Sequence, residues 1–278
     1  MIVVNAETSY WAQWGLAEDP FAQGYDRRFV RLTNSLENAL TLLYFTVQRN
    51  RGAACVTGET GSGKSTLLHH LKQVLVEEGA QVLAFSLRGL TPVQLLRTIL
   101  QGLGCPAIAD DVQLLRQAVH LELFERAERG PRTILMLDDV DAVEDPAILG
   151  LLDELTKARV GSKYLINCIL AGGSTLVRNL SIHPEFFTRL AFQVQLAPLT
   201  AAEASDLIRD RFAAAGWKGE SFPISVEAVE LLHQKAAGNP GRICQWLHQA
   251  MANELCARAG VVDPFYLYQV FSHGETAA

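Results

Sequence analysis

Gly58-Glu-Thr-Gly-Ser-Gly-Lys-Ser65 is the stretch that decides the fold. It satisfies G-x-x-x-x-G-K-[ST] at every fixed position. Ala53-Ala-Cys-Val-Thr57 before it is a short apolar run that reads as a buried strand, and Ser65 to Glu78 after it has helical periodicity, with Gly79 as a stop. Strand, glycine-rich loop and helix in that order are the context in which this motif cradles phosphate. Gly58, Gly61 and Gly63 let the backbone turn tightly and aim N–H groups at phosphate oxygens, and the following helix adds the positive end of its dipole. Gly58, Glu59, Thr60, Gly61, Ser62, Gly63, Lys64, Ser65 and Thr66 are therefore the expected nucleotide-binding residues. Lys64 should reach the β- and γ-phosphates of ATP, and Ser65 should ligate Mg²⁺.

A second magnesium partner is needed. Ile134-Leu-Met-Leu137 delivers Asp138-Asp139 at the end of an apolar strand. Asp138 is the expected metal partner, and Asp139 is placed to orient the attacking water. Asp141 adds a third carboxylate just beyond. The plainer reading of the cluster is a cap for the next helix.

Working outward, Ser35 to Arg49 repeats Leu36, Ala39, Leu40, Leu43, Tyr44 and Val47 at helical spacing. Further strands are expected at Gln81–Leu87, Arg132–Leu137, Tyr164–Ala171 and Phe192–Leu196. Helices are expected at about Pro92–Leu103, Asp111–Glu128 and Pro146–Ala158. Strands alternating with helices imply an α/β core with a parallel five-stranded sheet covered on both faces. After Pro198 the strands stop. Ala201–Ala215, Ser225–Ala236 and Arg242–Ala259 read as helices of a small all-helical lid. The expected organisation is an N-terminal segment 1–34, the core 35–198, the lid 199–271 and a frayed tail 272–278.

The 278 residues are 49% hydrophobic, which is ample for one large core and a smaller second domain. A formal net charge of −6 argues against a dedicated nucleic-acid binder, although a local basic patch stays compatible with it. Cys55, Cys105, Cys168, Cys244 and Cys256 form no C-x-x-C pair, so reduced core thiols are expected rather than zinc. No apolar run approaches the roughly 20 residues of a membrane span, and the first residues do not read as a signal peptide. The expected location is the cytoplasm.

Several segments taken together resemble an AAA+ ATPase, and more narrowly the ExeA/GspA-type family, to which the TnsC and TniB transposition ATPases are related. These are Trp14-Gly-Leu-Ala-Glu-Asp-Pro-Phe21, Asp26-Arg-Arg-Phe29, Thr57 to Leu68, Ile169-Leu-Ala-Gly172, Ala197-Pro-Leu-Thr200 and Gly238-Asn-Pro-Gly-Arg242. The resemblance implies a P-loop NTPase fold with a helical lid. It implies that Arg189, in Phe187-Thr-Arg-Leu190, is an arginine finger entering a neighbouring subunit's site, and that Arg242 is a sensor on the lid. Ser174 falls where a polar sensor at the end of the fourth strand belongs. Two departures stand out: Asp139 replaces the family's usual glutamate, and Gly173 stands where a polar side chain is usual.

The implied function is an oligomerising ATPase, a ring or filament of identical subunits, that remodels or regulates a secretion or pilus apparatus. A transposition-type regulator that forms ATP-dependent filaments on DNA and recruits a transposase is the alternative. A nucleotide-binding switch with slow turnover is a third reading, because aspartate is one methylene shorter than glutamate. DNA contact would fall to Arg27, Arg28, Arg31, Arg49, Arg51 and Lys72.

Overall fold

The computed structural model describes residues 9–22, 24–106 and 110–274. In chain order the helices are α1 (Tyr10–Gln13), α2 (Asn34–Gln48), α3 (Lys64–Glu77), α4 (Pro92–Gly102), α5 (Val112–Arg129), α6 (Pro146–Lys157), α7 (Leu176–Ser181), α8 (Pro184–Thr188), α9 (Ala201–Ala214), α10 (Val226–Ala236), α11 (Pro240–Met251), α12 (Glu254–Ala259) and α13 (Pro264–Gly274). The strands are β1 (Ala53–Thr57), β2 (Gln81–Ser86), β3 (Thr133–Asp138), β4 (Arg159–Val160), β5 (Lys163–Tyr164), β6 (Ile166–Gly172) and β7 (Leu190–Gln195). The chain divides into two compact units: Asn34–Glu59 with Gly63–Leu196, and the described residues up to Thr33 with Thr60–Ser62 and those from Ala197 onward.

The larger unit is built on a five-stranded sheet of order β2-β3-β6-β1-β7, parallel throughout. Side chains alternate along each strand, so a strand apolar at every position must be covered on both faces. Leu135 and Leu137 of β3, with Cys168 and Leu170 of β6, pack into one core with α4, α5 and α6. Ile134 and Met136 of β3, with Ile169 and Ala171 of β6, pack into the opposite core with α2 and α3. The strand predicted from Tyr164 onward is split. Tyr164 pairs with Arg159 in a small antiparallel hairpin, and β6 starts at Ile166. The Asn50 side chain takes both backbone groups of Tyr164: Tyr164 N donates to Asn50 Oδ1 at 2.7 Å, and Asn50 Nδ2 donates to Tyr164 O at 3.1 Å. Tyr164 is thus bonded outside the main ladder.

The smaller unit is helical. Thr200 and Glu203 form a reciprocal capping box that starts α9. The continuous helix predicted over 242–259 is two helices, because Asn253 turns its side chain onto the N–H groups of Leu255 and Cys256 and restarts the chain as α12. The fraying predicted from Ser272 is not found at 272–274, which belong to α13; residues 275–278 lie outside the described ones. The N-terminal segment is part of this unit. Trp14, Leu16 and Phe21 are buried among Phe212, Leu247 and Met251. Trp14 Nε1 donates to Met251 O at 2.9 Å, and Arg31 pairs with Asp206 and Asp210. Trp14 is therefore a packing anchor.

Burial pushes the thiols of Cys55, Cys168 and Cys256 up to about 12. All five cysteines are free thiols.

Removing a buried indole leaves a cavity and an unpaired carbonyl at Met251 O. Trp14→Ala should therefore cost about 3–5 kcal/mol of stability in the helical unit, read as a lower urea midpoint. A loss under about 1 kcal/mol, the scale of a surface substitution, would mean that the segment is not integral to that unit's core.

Candidate functional site

β1 ends at Thr57 and the chain enters the glycine-rich loop. Gly61 and Gly63 take left-handed φ values of 83° and 99°, which only glycine adopts without strain. Gly63 is the N-cap of α3 and offers no capping side chain, so the first N–H groups of that 14-residue helix are left for a ligand. The buried Ser62 hydroxyl oxygen has no hydrogen-bond partner in the protein. Lys64 Nζ donates to Gly58 O at 2.7 Å and to Glu59 O at 2.9 Å. Its ammonium is thereby held against the loop. A helix start with no capping side chain, an orphaned hydroxyl and a lysine ammonium held against the loop fit a polyphosphate. Glu59 and Thr60 are exposed on the loop, and Thr66 is half-buried in the first turn of α3.

The acidic pair emerges at the end of β3, and β6 lies between β3 and β1 in the sheet. Ser65 Oγ donates to Asp138 Oδ2 at 2.7 Å, so the two residues expected to hold magnesium converge. A hydroxyl and a carboxylate oxygen are the hard donors that Mg²⁺ takes. Asp138 Oδ1 also accepts the Asp139 N–H at 2.9 Å.

Asp139 points elsewhere. Its backbone is left-handed, with φ 54°. Its carboxylate accepts from Ser86 Oγ at 2.7 Å and from the Arg88 guanidinium at 3.1 Å. The Ser86 hydrogen bond, then the bond and charge of Arg88, hold its carboxyl below the usual carboxylate range. The residue expected to orient water is thus engaged by its own protomer.

Asp141 accounts for the glycine at 173. Its carboxylate accepts from the Gly173 N–H at 2.8 Å and from Thr175 Oγ1 at 3.4 Å. A Cβ at Gly172 would stand 2.5 Å from Asp141 Oδ1, and one at Gly173 2.7 Å from Oδ2. The polar group at this strand end comes from β3's loop, while Ser174 itself is exposed.

Arg189 follows α8, and its guanidinium pairs with Asp153 of α6 and lies 5.9 Å from the Phe186 ring centroid. Only 22% of its side chain is accessible. Arg242 is exposed in the first turn of α11, in the helical unit, and its N–H is capped by Asn239 Oδ1 at 3.1 Å. That unit also holds the crown of the loop. There Asn239 Nδ2 donates to Thr60 O at 2.9 Å, and Gly241 N donates to Gly61 O at 3.0 Å. Ser86 and Arg88 were not anticipated from the sequence. The only signal for them is their place at the end of β2, the strand paired with β3.

Residues 47–180 match the family described as an AAA domain. The chain is 26% identical over 254 residues to General secretion pathway protein A of Aeromonas hydrophila, covering 90% of this chain and 44% of that protein. It is 35% identical over 102 residues to ORC1-type DNA replication protein 9 of Halobacterium salinarum, covering 34% of this chain and 27% of that one. It therefore spans less than half the length of these relatives. Among solved structures it is similar to Cdc6p from Pyrobaculum aerophilum, with TM-score 0.71, 17% identity, and 93% and 71% of the two chains covered. The Aeropyrum pernix ORC1 protein in complex with DNA gives TM-score 0.63 at 20% identity, covering 94% and 69%. At those identities the structures speak for the fold.

The Asp139 contacts generate a test. Arg88→Ala should free the carboxylate and raise phosphate release by about 2- to 5-fold, the scale of one exposed ion pair. It should also move the acid limb of the pH profile upward, because a carboxylate held low regains its ordinary range when a cation leaves. An unchanged rate together with an unchanged acid limb would show that Arg88 does not restrain Asp139.

Proposed function

We propose, from the premise that the chain carries an AAA domain over residues 47–180 on an AAA+ P-loop fold, that it is an oligomerising ATPase which regulates or remodels a partner assembly. The convergence of Ser65 on Asp138 beside the glycine-rich loop carries this reading. Lys64, the loop N–H groups and the α3 N-terminus would bind the phosphates of ATP. Ser65 and Asp138 would hold Mg²⁺, which when bound neutralises charge on the phosphate oxygens. Asp139, once released from Ser86 and Arg88, would orient the attacking water. That release requirement makes basal turnover slow, so ATP acts in part as a switch. Arg189 would serve a neighbouring subunit after leaving Asp153. Arg242 would respond to the nucleotide from the helical unit.

Similarity over 90% of the chain to a protein named for the general secretion pathway supports a secretion or pilus apparatus as the assembly, approached from the cytoplasm. No helix among the described residues is long and apolar enough to cross a membrane. A second reading, a regulator that assembles on DNA, is supported by the DNA replication protein matched over 102 residues.

Two outcomes test the shared site. Lys64→Ala should remove ATP binding, since the motif places one side-chain cation on the β- and γ-phosphates. Arg189→Ala should retain ATP binding and lose turnover, because an arginine supplied to the transition state is worth roughly 10³ to 10⁵ in related phosphoryl-transfer enzymes. Mixing the two inactive variants should restore part of the phosphate release. Turnover that does not depend on protein concentration, with no recovery on mixing, would return Arg189 to the structural pair with Asp153.

A further inference from the structure

Eleven cations of the larger unit fall into two groups; Lys64 is held by loop carbonyls, and Lys72 of α3 and Arg178 of α7 belong to neither. Arg88, Arg97, Arg116, Arg126, Lys157 and Arg189 each pair with a carboxylate. Arg49, Arg51, Arg132, Arg159 and Lys163 are exposed, and among the described residues none of them makes an ion pair. The latter five lie together at the amino ends of the strands, the edge opposite the phosphate loop. Arg49 and Arg51 bracket Asn50, whose side chain holds the Tyr164 backbone. The Tyr164 ring lies over Gly52, within 3.1 Å of where a Cβ would stand, and the Arg159 guanidinium lies 5.5 Å from that ring's centroid. Arg132 and Lys163 line one shallow pocket with Asn50, Tyr164 and Asn167. Asn167 is 1% exposed, and its amide oxygen has no hydrogen-bond partner. Glu78 is engaged by the Tyr44 hydroxyl and the Gln48 amide.

We infer that this edge is a nucleic-acid contact surface that reads the phosphodiester backbone without regard to sequence. Five exposed cations outside any ion pair hold mobile counterions, and releasing those ions on binding a polyanion drives association. The surface is patterned for phosphate: arginine and lysine at the rim, with asparagine and tyrosine between them, are the side chains that meet phosphate and sugar oxygens. A chain of net charge −6 keeps such a patch unpaired against its general balance. The inference deepens the second reading above and is independent of the ATPase chemistry. It also moves the DNA-facing role away from Arg28 and Arg31, which are tied to Glu18, Asp26, Asp206 and Asp210.

The test is fluorescence anisotropy of the full chain with labelled duplex and single-stranded DNA across a salt series, with and without a non-hydrolysable ATP analogue. The triple variant Arg51→Glu, Arg132→Glu, Lys163→Glu is compared with Lys218→Glu, Lys235→Glu, which reverses exposed cations of the helical unit. Binding of the analogue and an unchanged melting temperature establish that each variant is folded. The wild type and the control should bind, with affinity falling linearly in log salt. The triple variant should bind more weakly, with a duplex slope shallower by about 3, since each lost phosphate contact removes about 0.9. Unchanged affinity and slope in the folded triple variant would overturn the surface and leave DNA binding elsewhere intact. No binding of either DNA by the wild type would overturn both.

Discussion

Parallel strands send all their carboxyl ends to one edge of a sheet, and that constraint organises the larger unit. β1 delivers the glycine-rich loop and β3 delivers Asp138, with β6 held between them. Neither segment could approach the other if β1 and β3 ran in opposite directions. The Ser65–Asp138 hydrogen bond closes the gap over the end of β6. It needs β3 to be central, and β3 is central because every residue from Ile134 to Leu137 is apolar and must be covered on both faces. Chemistry at one end of the strand therefore depends on burial along its whole length.

The same edge shows how one substitution in a pattern is offset by another. A glycine stands at 173, and Asp141 reaches into the space a side chain would have filled. The glycines at 172 and 173 and the carboxylate at 141 are three parts of one turn. Asp139 is handled differently. It is one methylene shorter than the glutamate usual in the family it resembles, and its left-handed backbone turns it toward β2. The two residues expected to hold a metal are thus bonded to each other, while the carboxylate expected to orient water is engaged by Ser86 and Arg88.

Local signals in the sequence revealed the parts that depend on local physics. A short apolar run, glycines before a helix and helical periodicity fix Ala53–Thr57, the loop and α3 within a residue or so. Contacts between residues far apart in the chain were not legible. Gly161-Ser162 is a hairpin-turn signal, but nothing in Arg-Val-Gly-Ser-Lys-Tyr announces that its last backbone groups bond to Asn50, more than a hundred residues earlier. Nor does Phe85-Ser-Leu-Arg88 announce a grip on Asp139, because that grip exists only once β2 pairs with β3. Asn253 is an intermediate case. An asparagine inside an apolar helical pattern is a visible cap candidate, yet the periodicity on either side outweighs it when read alone.

The buried thiols give the fold its own opening clocks. Cys55 and Cys168 sit on adjacent central strands, and Cys256 is closed inside the helical unit. A thiol raised to about 12 and sealed from solvent reacts with an alkylating reagent only when its surroundings come apart. The modification rate at Cys55 and Cys168 therefore reports how often the sheet separates, and the rate at Cys256 reports the helical unit independently. Each unit carries a native chemical label for its own breathing, with no residue replaced.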